Sequence, residues 1–311
     1  MEYSPLFWPI ELKAGTISIL DETALPDKLK YIKIRDYHGS CRAIKEMKTR
    51  AVGQVLLVFY TFLLEIQKHK NKNTLFAHLE KVASAINATR PTLSFKMLTG
   101  MVLGAAKEGV PLDKFILGFL EGLKNKRIKQ ADEAAGLIAD GDVVLTHCNI
   151  SGLMPLIAQI CKDAGKRVSF FVTETRPYLQ GSRLSAWELH RTGFDVTIIA
   201  DNMVAQVMHE EKIDKVIVGA DHLAKNGDIA NKIGTFQIAL LSAHFNIPFY
   251  VICPPASRAE TGKDIEIEVR PDEELLHYRG MRLAPKGVKA YYPAFDVTPD
   301  ELITKHIYLE V

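Results

Sequence analysis

The second half of the chain alternates short apolar runs with segments of helical periodicity, and this alternation limits the folds open to it. Five runs rich in Val, Ile and Phe are typical of buried strands: DVVLTH (142–147), RVSFFVTE (167–174), DVTIIA (195–200), KVIVGAD (215–221) and PFYVIC (248–253). Segments with helical spacing separate them, at 153–164, 182–191, 203–209 and 233–245. Strands that alternate with helices predict a parallel sheet covered on both faces.

The region from about 36 to 139 has a different pattern. Its apolar residues recur at helical spacing, as in AIKEMKTRA (43–51) and VLLVF (55–59), and prolines at 91 and 111 punctuate the helices. Before it, GTISILD (15–21) and KYIKIRD (30–36) alternate apolar and polar residues, which predicts two short strands. We therefore expect a mainly helical N-terminal domain at 1–139 and an α/β domain at 140–311.

Composition excludes several classes of protein. The 311 residues are 47% hydrophobic and 24% charged with a net charge of +2, which is typical of an ordinary globular chain rather than a nucleic-acid-binding protein. The densest basic run, KNKRIK (124–129), is interpreted as a solvated helix face or linker. The most apolar run, VLLVFYTFLL (55–64), is too short to span a bilayer and is expected to be a core helix.

The cysteines and the missing motifs bear on compartment and cofactors. Four widely spaced cysteines without a CxxC pair, and no apolar signal segment, indicate a reducing cytoplasm with free thiols. The motifs GxGxxG, GxxxxGK[ST] and HExxH are all missing, so neither a nucleotide cofactor nor a metal is predicted.

Polar residues collect where the predicted strands end. His147 and Cys148 follow the first strand, Thr175 the second, Asp201 the third and Asp221 the fourth. In an open parallel sheet, ligands bind beyond the carboxyl ends of the strands. Taken singly, a strand-end aspartate usually caps a helix and a buried cysteine usually only packs. Their convergence on one edge favours a functional site.

The segment GADHLAKNGDIANKIGT (219–235) is the most informative of these strand ends. A loop from 222 to 228 is expected to lead to a helix that begins near Asn231. Asn231 and Lys232 would then lie at a helix N-terminus, where N–H groups and the helix dipole favour an anion such as a phosphate. The alternative, an N-capping asparagine beside a solvated lysine, stays open.

Several segments together resemble a known family. LTHCN (145–149), ETRPYLQGSRLSAWEL (174–189), VIVGAD (216–221), NGDIANKIGT (226–235) and YYPAFDVTPDELIT (291–304) resemble, in this order, the signatures of methylthioribose-1-phosphate isomerases. ATRPT (88–92) and AIKEMKTR (43–50) extend the similarity upstream. The superfamily also contains ribose-1,5-bisphosphate isomerase and the regulatory subunits of the translation initiation exchange factor. The resemblance implies a Rossmann-like domain after a helical domain, in a homodimer.

The resemblance also implies a reaction and its residues. A 5-substituted ribose 1-phosphate, above all 5-methylthioribose 1-phosphate of methionine salvage, would be isomerised to the ribulose 1-phosphate without a cofactor. The implied catalytic pair is Cys148 and Asp221, and the implied substrate-binding residues are Arg50, Arg90, Gln180, Asn231 and Lys232. As an acid, Asp221 should be partly desolvated with a raised pKa. As a base, Cys148 should have its pKa lowered by the following helix N-terminus.

Three departures from the family pattern leave the substrate's C5 group open. AVGQ replaces the usual RGAP after Arg50, the segment after HCN is shorter, and His222 stands where an arginine is common. The C5 group could thus be methylthio, plain methyl as in 5-deoxyribose 1-phosphate, or a second phosphate. A non-catalytic regulatory subunit that binds a sugar phosphate or nucleotide is the rival from another class. Such subunits typically lack the cysteine that follows TH.

Overall fold

Residues 3–89 and 95–309 are described by a computed structural model, in which the chain divides into two units, Met1–Lys126 and Arg127–Val311. The division lies inside a 25-residue helix, Leu112–Gly136. It therefore precedes the change in sequence pattern near 139, because that helix continues from one unit into the next.

The N-terminal unit begins with a three-stranded antiparallel sheet, followed by helices. The strands are β1 (Ile10–Lys13), β2 (Thr16–Leu20) and β3 (Tyr31–Ile34), with β2 in the centre. The helices are α1 (Tyr37–Lys45), α2 (Val52–Lys68), α3 (Lys72–Asn87), α4 (Phe95–Lys107) and α5 (Leu112–Gly136). The two predicted strands are present, and the short β1 was missed.

Helix α2 forms the centre of this unit's core. It buries residues on almost every side, including Leu56, Leu57, Phe59 and Phe62, against the sheet and the other helices. The prediction of a core helix for this apolar run is confirmed. Within the described residues, no helix is both long and apolar enough to cross a membrane.

A break between α1 and α2 interrupts the helical periodicity of the sequence. Buried Glu22 accepts hydrogen bonds from the Thr49 hydroxyl at 2.7 Å and from the Arg50 backbone N–H at 3.0 Å. Met47 and Ala51 have φ of 53° and 44°, which a helix does not allow. The carboxylate thus replaces helical hydrogen bonds over 46–51, although the apolar spacing continues through the break.

The C-terminal unit contains the predicted parallel sheet. Its six strands are ordered β14-β10-β7-β4-β5-β6: β4 (Val143–Thr146), β5 (Ser169–Thr173), β6 (Asp195–Ile199), β7 (Lys215–Gly219), β10 (Phe249–Ile252) and β14 (Lys305–Ile307). Its helices are α6 (Leu153–Asp163), α7 (Ala186–Arg191), α8 (Val204–His209), α9 (Thr235–His244) and α10 (Asp272–Leu276). A π-helical turn at Gly181–Ser185 leads into α7. The Rossmann-like prediction is confirmed, and β14 is an addition to the five predicted strands.

The order of the strands positions the candidate site. From β4 the chain adds β5 and β6 on one side, then returns to add β7, β10 and β14 on the other. The direction of winding therefore reverses between β4 and β7. In sheets of this kind, the crevice beyond the carboxyl ends at the reversal is where ligands bind.

A second, antiparallel sheet follows β7. Its strands are β8 (His222–Leu223), β9 (Ile229–Lys232) and β13 (Phe295–Thr298), with β9 in the centre, and a separate hairpin pairs β11 (His277–Tyr278) with β12 (Met281–Arg282). The prediction that a helix begins near Asn231 is wrong. Residues 229–232 pair with β13, residues 229 and 230 also pair with β8, and Gly234, with φ of 105°, turns the chain into α9.

Candidate functional site

Cys148 lies just beyond β4 in an unusual backbone conformation. Its φ is 64°, a left-handed value that costs a residue with a side chain on the order of 1 kcal/mol. Both of its backbone groups are held by buried hydroxyls. The Cys148 N–H donates to Thr175 Oγ1 at 3.0 Å, and Ser185 Oγ donates to the Cys148 carbonyl at 2.6 Å. The cysteine is therefore held by side chains from two other segments.

Charged and amide side chains hold the cysteine loop, residues 147–152, through hydrogen bonds at positions 149 and 151. Asn149 Nδ2 donates to both Ser185 Oγ and the fully buried Glu188, each at 3.0 Å. Arg127 Nη2 donates to the Ser151 carbonyl at 2.6 Å. Burial lowers the pKa of Arg127 to about 9, and the charge of Glu188 acts in the opposite direction. A charge buried this deeply requires an opposite charge nearby, which Glu188 supplies.

The prediction that the basic run at 124–129 is solvated is therefore wrong at Arg127. Arg127 has only 2% of its surface exposed, so it is not on a solvated face. Its long side chain lies inside the C-terminal unit because Ser151 and Glu188 provide an acceptor and a countercharge there. Counting basic residues does not reveal this, since the partners lie far away in sequence.

Asp201, which follows β6, holds the loop after β5 in place. Asp201 accepts the backbone N–H groups of Thr175 and Arg176, each at 2.7 Å, through its two carboxylate oxygens. Thr175 is fully buried and has φ of 62°, an outlier for a β-branched residue. Gly181 packs directly on this loop, and a Cβ there would lie 2.9 Å from Thr175 Oγ1 and closer still to the Thr173 carbonyl. Only glycine fits this approach.

His147, next to the cysteine, is a buried structural link. Its Nδ1 lies 2.6 Å from Thr173 Oγ1, and its Nε2 lies 2.9 Å from the Ile233 carbonyl. Burial lowers the pKa of His147 to about 4, with the carboxylate of Asp201 acting in the opposite direction. The imidazole is thus neutral at pH 7 and joins β4, β5 and the segment before α9.

The fold places Cys148 and Asp221 at the same edge of the parallel sheet. Strands β4 and β7 are adjacent and pair Leu145 with Val216, so extending this register brings position 148 level with 219. The loop after β4 also contacts the end of β7, because a Cβ on Gly219 would lie 3.4 Å from the Ile150 side chain. Asp221 follows two residues later, and its N–H donates to the Ala230 carbonyl at 2.9 Å.

Two local features of this pair bear on the expected chemistry. Asp221 is an exposed residue of the folded chain, and the desolvation of its carboxyl group stays a prediction. Helix α6 begins at Leu153 with Gly152 as its N-cap, which leaves Cys148 outside the capping position. Residues 149–151 separate the cysteine from the N-cap glycine.

Asn231 and Lys232 lie in β9 rather than at a helix N-terminus. Asn231 Nδ2 donates to Thr235 Oγ1 at 2.9 Å, whereas the Lys232 ammonium lies 5.0 Å from the Phe295 ring centroid. The first turn of α9 is capped by Asp296, which accepts the N–H groups at 234 and 236 at 2.6 and 3.1 Å. Desolvation by burial raises the pKa of Asp296 to about 6. The anion predicted for this helix end is therefore supplied by the protein itself.

Gln180 directly precedes the π-helical turn and is 4% exposed. Its Oε1 is buried and has no hydrogen-bond partner within the described residues. Buried acceptors are nearly always satisfied, so an orphan of this kind suggests that another group completes it.

The two arginines implied by the resemblance belong to the N-terminal part of the chain. Arg50 lies in the break between α1 and α2, and its Nε donates to Glu22 at 3.3 Å, which fixes the direction of the guanidinium. Arg90 lies outside the described residues. Among residues 3–89 and 95–309, no cluster of His, Cys, Asp and Glu side chains is arranged to hold a metal ion.

The sequence of the chain matches a known protein family and named relatives. Residues 52–308 match the model of the initiation factor 2 subunit family. A methylthioribose-1-phosphate isomerase of Desulforudis audaxviator is 39% identical over 326 aligned positions, covering 98% of this chain and 92% of the relative.

Two solved structures have the same fold over nearly the whole chain. The 5-methylthioribose 1-phosphate isomerase of Pyrococcus horikoshii superposes with a TM-score of 0.86 at 30% identity, covering 99% of this chain and 94% of that one. The translation initiation factor eIF-2B, subunit delta, of A. fulgidus superposes with a TM-score of 0.85 at 36% identity, covering 97% and 94%. Similarity in fold alone therefore does not separate the two kinds of protein.

Proposed function

The chain belongs to the initiation factor 2 subunit family and, within it, to the methylthioribose-1-phosphate isomerases, and on this premise we propose that it converts 5-methylthioribose 1-phosphate to 5-methylthioribulose 1-phosphate. This aldose–ketose isomerisation is a step of methionine salvage. The observation that carries the proposal is the placement of Cys148 and Asp221 beyond adjacent strands, where the winding of the sheet reverses.

In this proposal the two residues divide the proton transfers. The phosphate blocks the anomeric oxygen, so the ring opens only when an acid protonates the ring oxygen as its bond to C1 breaks. Asp221 donates that proton, and bound substrate removes water from its carboxyl group. The Cys148 thiolate then takes the C2 proton to form an enol, and the resulting thiol, which exchanges with solvent, gives a proton to C1. The C2 hydroxyl proton returns to Asp221 as the ketone forms.

A hydride route uses the same residues differently. The C2 hydrogen moves to C1 with its electron pair, Asp221 takes the C2 hydroxyl proton, and Cys148 only polarises or positions the substrate. Turnover of substrate deuterated at C2 separates the routes. Loss of deuterium to solvent supports the proton route, and full retention at C1 contradicts it.

The remaining residues are proposed to bind substrate. The orphan Oε1 of Gln180 is suited to accept a sugar hydroxyl, while Asn231 and Lys232 offer an amide and a cation next to Asp221 in the second sheet. Arginines suit phosphate because their N–H groups bind its oxygens in pairs, and we assign Arg50 and Arg90 to this role. Arg50→Ala should raise KM with kcat largely kept, because phosphate is bound equally in ground and transition states.

The central test is turnover by the purified protein and two variants. Cys148→Ala and Asp221→Asn should each abolish measurable turnover while leaving the circular dichroism spectrum and Tm unchanged. Cys161→Ala is the matched control, because Cys161 is a buried thiol in α6 outside this edge. Normal turnover by Cys148→Ala would contradict the assignment of the cysteine.

A panel of ribose 1-phosphates that differ only at C5 tests the substrate. We expect the methylthio compound to have the highest kcat/KM, with 5-deoxyribose 1-phosphate and ribose 1,5-bisphosphate as comparators. A preference for the bisphosphate would move the assignment to that isomerase.

A non-catalytic regulatory subunit is the second candidate, favoured by the 36% identity to the A. fulgidus eIF-2B protein. Binding of a sugar phosphate without turnover of any panel member would support it. The presence of Cys148 and Asp221 supports the isomerase instead. We also propose a cytoplasmic homodimer, for which light scattering coupled to size exclusion measures the mass.

A further inference from the structure

The loop that carries Cys148 is held by two hydroxyl groups outside it. Thr175 Oγ1 accepts the cysteine's N–H, and Ser185 Oγ donates to its carbonyl. The two hydroxyls come from separate segments, one directly after β5 and the other at the end of the π-helical turn. They bind both sides of the same residue, and neither is its neighbour in sequence.

The conformation that they hold does not maintain itself. Cys148, Ser151 and Gly152 have φ of 64°, 48° and 79°, so the loop contains two non-glycine residues in the left-handed region. Left-handed backbone at residues with side chains persists only where the surroundings impose it, and such positions cluster at functional sites. Without its two hydroxyl partners, Cys148 is expected to relax toward an ordinary φ and move its thiol.

The residues that carry the two hydroxyls are themselves held by the half-buried side chains of Asp201 and Asn149. Asp201 holds the Thr175 backbone through a 2.7 Å hydrogen bond, and Asn149 Nδ2 bridges Ser185 and Glu188 at 3.0 Å each. Thr175, Ser185 and Glu188 have 0%, 2% and 0% of their surfaces exposed. Water is thus kept from competing for the bonds to the cysteine.

From this arrangement we propose that Thr175 and Ser185 are positioning residues, whose hydroxyls hold Cys148 in its left-handed conformation and so aim its thiol at the substrate. The inference rests on the proposed function, because it takes Cys148 as a group that acts on the substrate. Neither hydroxyl needs to touch the substrate, and each acts through the cysteine backbone.

Matched variants test each hydroxyl. Thr175→Val removes the acceptor and keeps the shape, whereas Thr175→Ser keeps the hydroxyl and should rescue the activity. Ser185→Ala removes the donor. Its control is Ser242→Ala, because Ser242 is equally buried and also donates to a backbone carbonyl, that of Ile238 at 2.9 Å within α9.

Two measurements separate positioning from general damage. Thr175→Val and Ser185→Ala should lower kcat about 10- to 100-fold, as expected for a displaced reacting group, with KM within about twofold of wild type because substrate contacts remain. The second measurement is the rate of iodoacetamide modification at Cys148 against pH, resolved by peptide mass spectrometry. Its midpoint should shift by at least about half a pH unit, since the thiol changes surroundings.

Several outcomes would overturn the inference. One is that Thr175→Val and Ser185→Ala keep the wild-type kcat and the wild-type modification profile. Another is that the Thr175→Ser and Ser242→Ala controls lose as much kcat as these two variants. If Ser185→Ala does not fold, the Thr175 pair decides. If Cys148→Ala keeps full turnover, the proposed catalytic role fails, but the modification profile still shows whether the hydroxyls position the thiol.

Discussion

Gly181→Ala is the sharpest test of the packing around the cysteine loop. A Cβ at this position would lie 2.9 Å from Thr175 Oγ1 and even nearer to the carbonyl oxygen of Thr173, and real Cβ atoms essentially never approach another heavy atom this closely. The carbonyl belongs to the last residue of β5 and cannot rotate away as a flexible side chain would. The backbone must therefore move.

The expected cost follows from these contacts. Overpacking of this kind costs about 1–3 kcal/mol, and displacement of Thr175 adds about 1 kcal/mol for its hydrogen bond to Cys148. Alanine restricts the unfolded chain and returns about 0.5 kcal/mol. We therefore expect a loss of about 1.5–3.5 kcal/mol in the free energy of unfolding of the C-terminal unit.

The assay uses the distribution of tryptophans. The chain has two, Trp8 in the N-terminal unit and Trp187 in α7 of the C-terminal unit. In a Trp8→Phe background, Trp187 fluorescence during urea unfolding reports the C-terminal unit. Gly136→Ala is the control, because this glycine ends α5 and a Cβ added there would meet no atom of the described residues within 4 Å, so it should lose no stability. A loss below about 0.5 kcal/mol for Gly181→Ala would refute the close approach.

Three further predictions concern buried charge. His147 has a folded pKa of about 4 against an ordinary 6.5, so its contribution to stability is present above pH 6.5 and is lost as pH falls toward 4. In urea unfolding, the free energy of unfolding of wild type should therefore fall by about 2 kcal/mol relative to His147→Gln between pH 7 and pH 5. The pH dependence from Asp296 has the opposite sign, because burial raises its pKa to about 6. Relative to Asp296→Asn, the free energy of unfolding of wild type should rise by about 2 kcal/mol as pH falls from 6 to 4. No rise would contradict the desolvation of this carboxyl group. Arg127→Met leaves Glu188 buried without its countercharge and should cost about 3–5 kcal/mol. Arg167→Met, at a site 85% exposed, is the control and should lose far less stability in the same assay.

The sequence was sufficient for the regular part of the fold. Alternating apolar runs and helical segments predicted the strands from β4 to β7 and β10, because a buried parallel sheet needs continuous Val and Ile runs. Strands β1 and β14, IELK (10–13) and KHI (305–307), were missed, since neither contains a run of Val, Ile or Phe. The small antiparallel sheet was missed because IANK (229–232) owes its strand conformation to partners on both sides.

The candidate site was predictable only at the level of which residues gather at the sheet edge. The strand ends indicated Cys148 and Asp221 as neighbours in the fold, but not the left-handed backbone of the cysteine or the exposure of the aspartate. The conformation of the cysteine depends on hydrogen bonds across 27 and 37 positions of sequence, from Thr175 and Ser185. Local patterns do not encode such partners.

Asp296 gives α9 a built-in counter-ion, so this helix end is already neutralised before any solute arrives. Free sulfate or inorganic phosphate would meet a carboxylate there instead of open N–H groups. The N-terminus of α9 is thus closed to external anions by a side chain that lies about sixty positions later in the sequence.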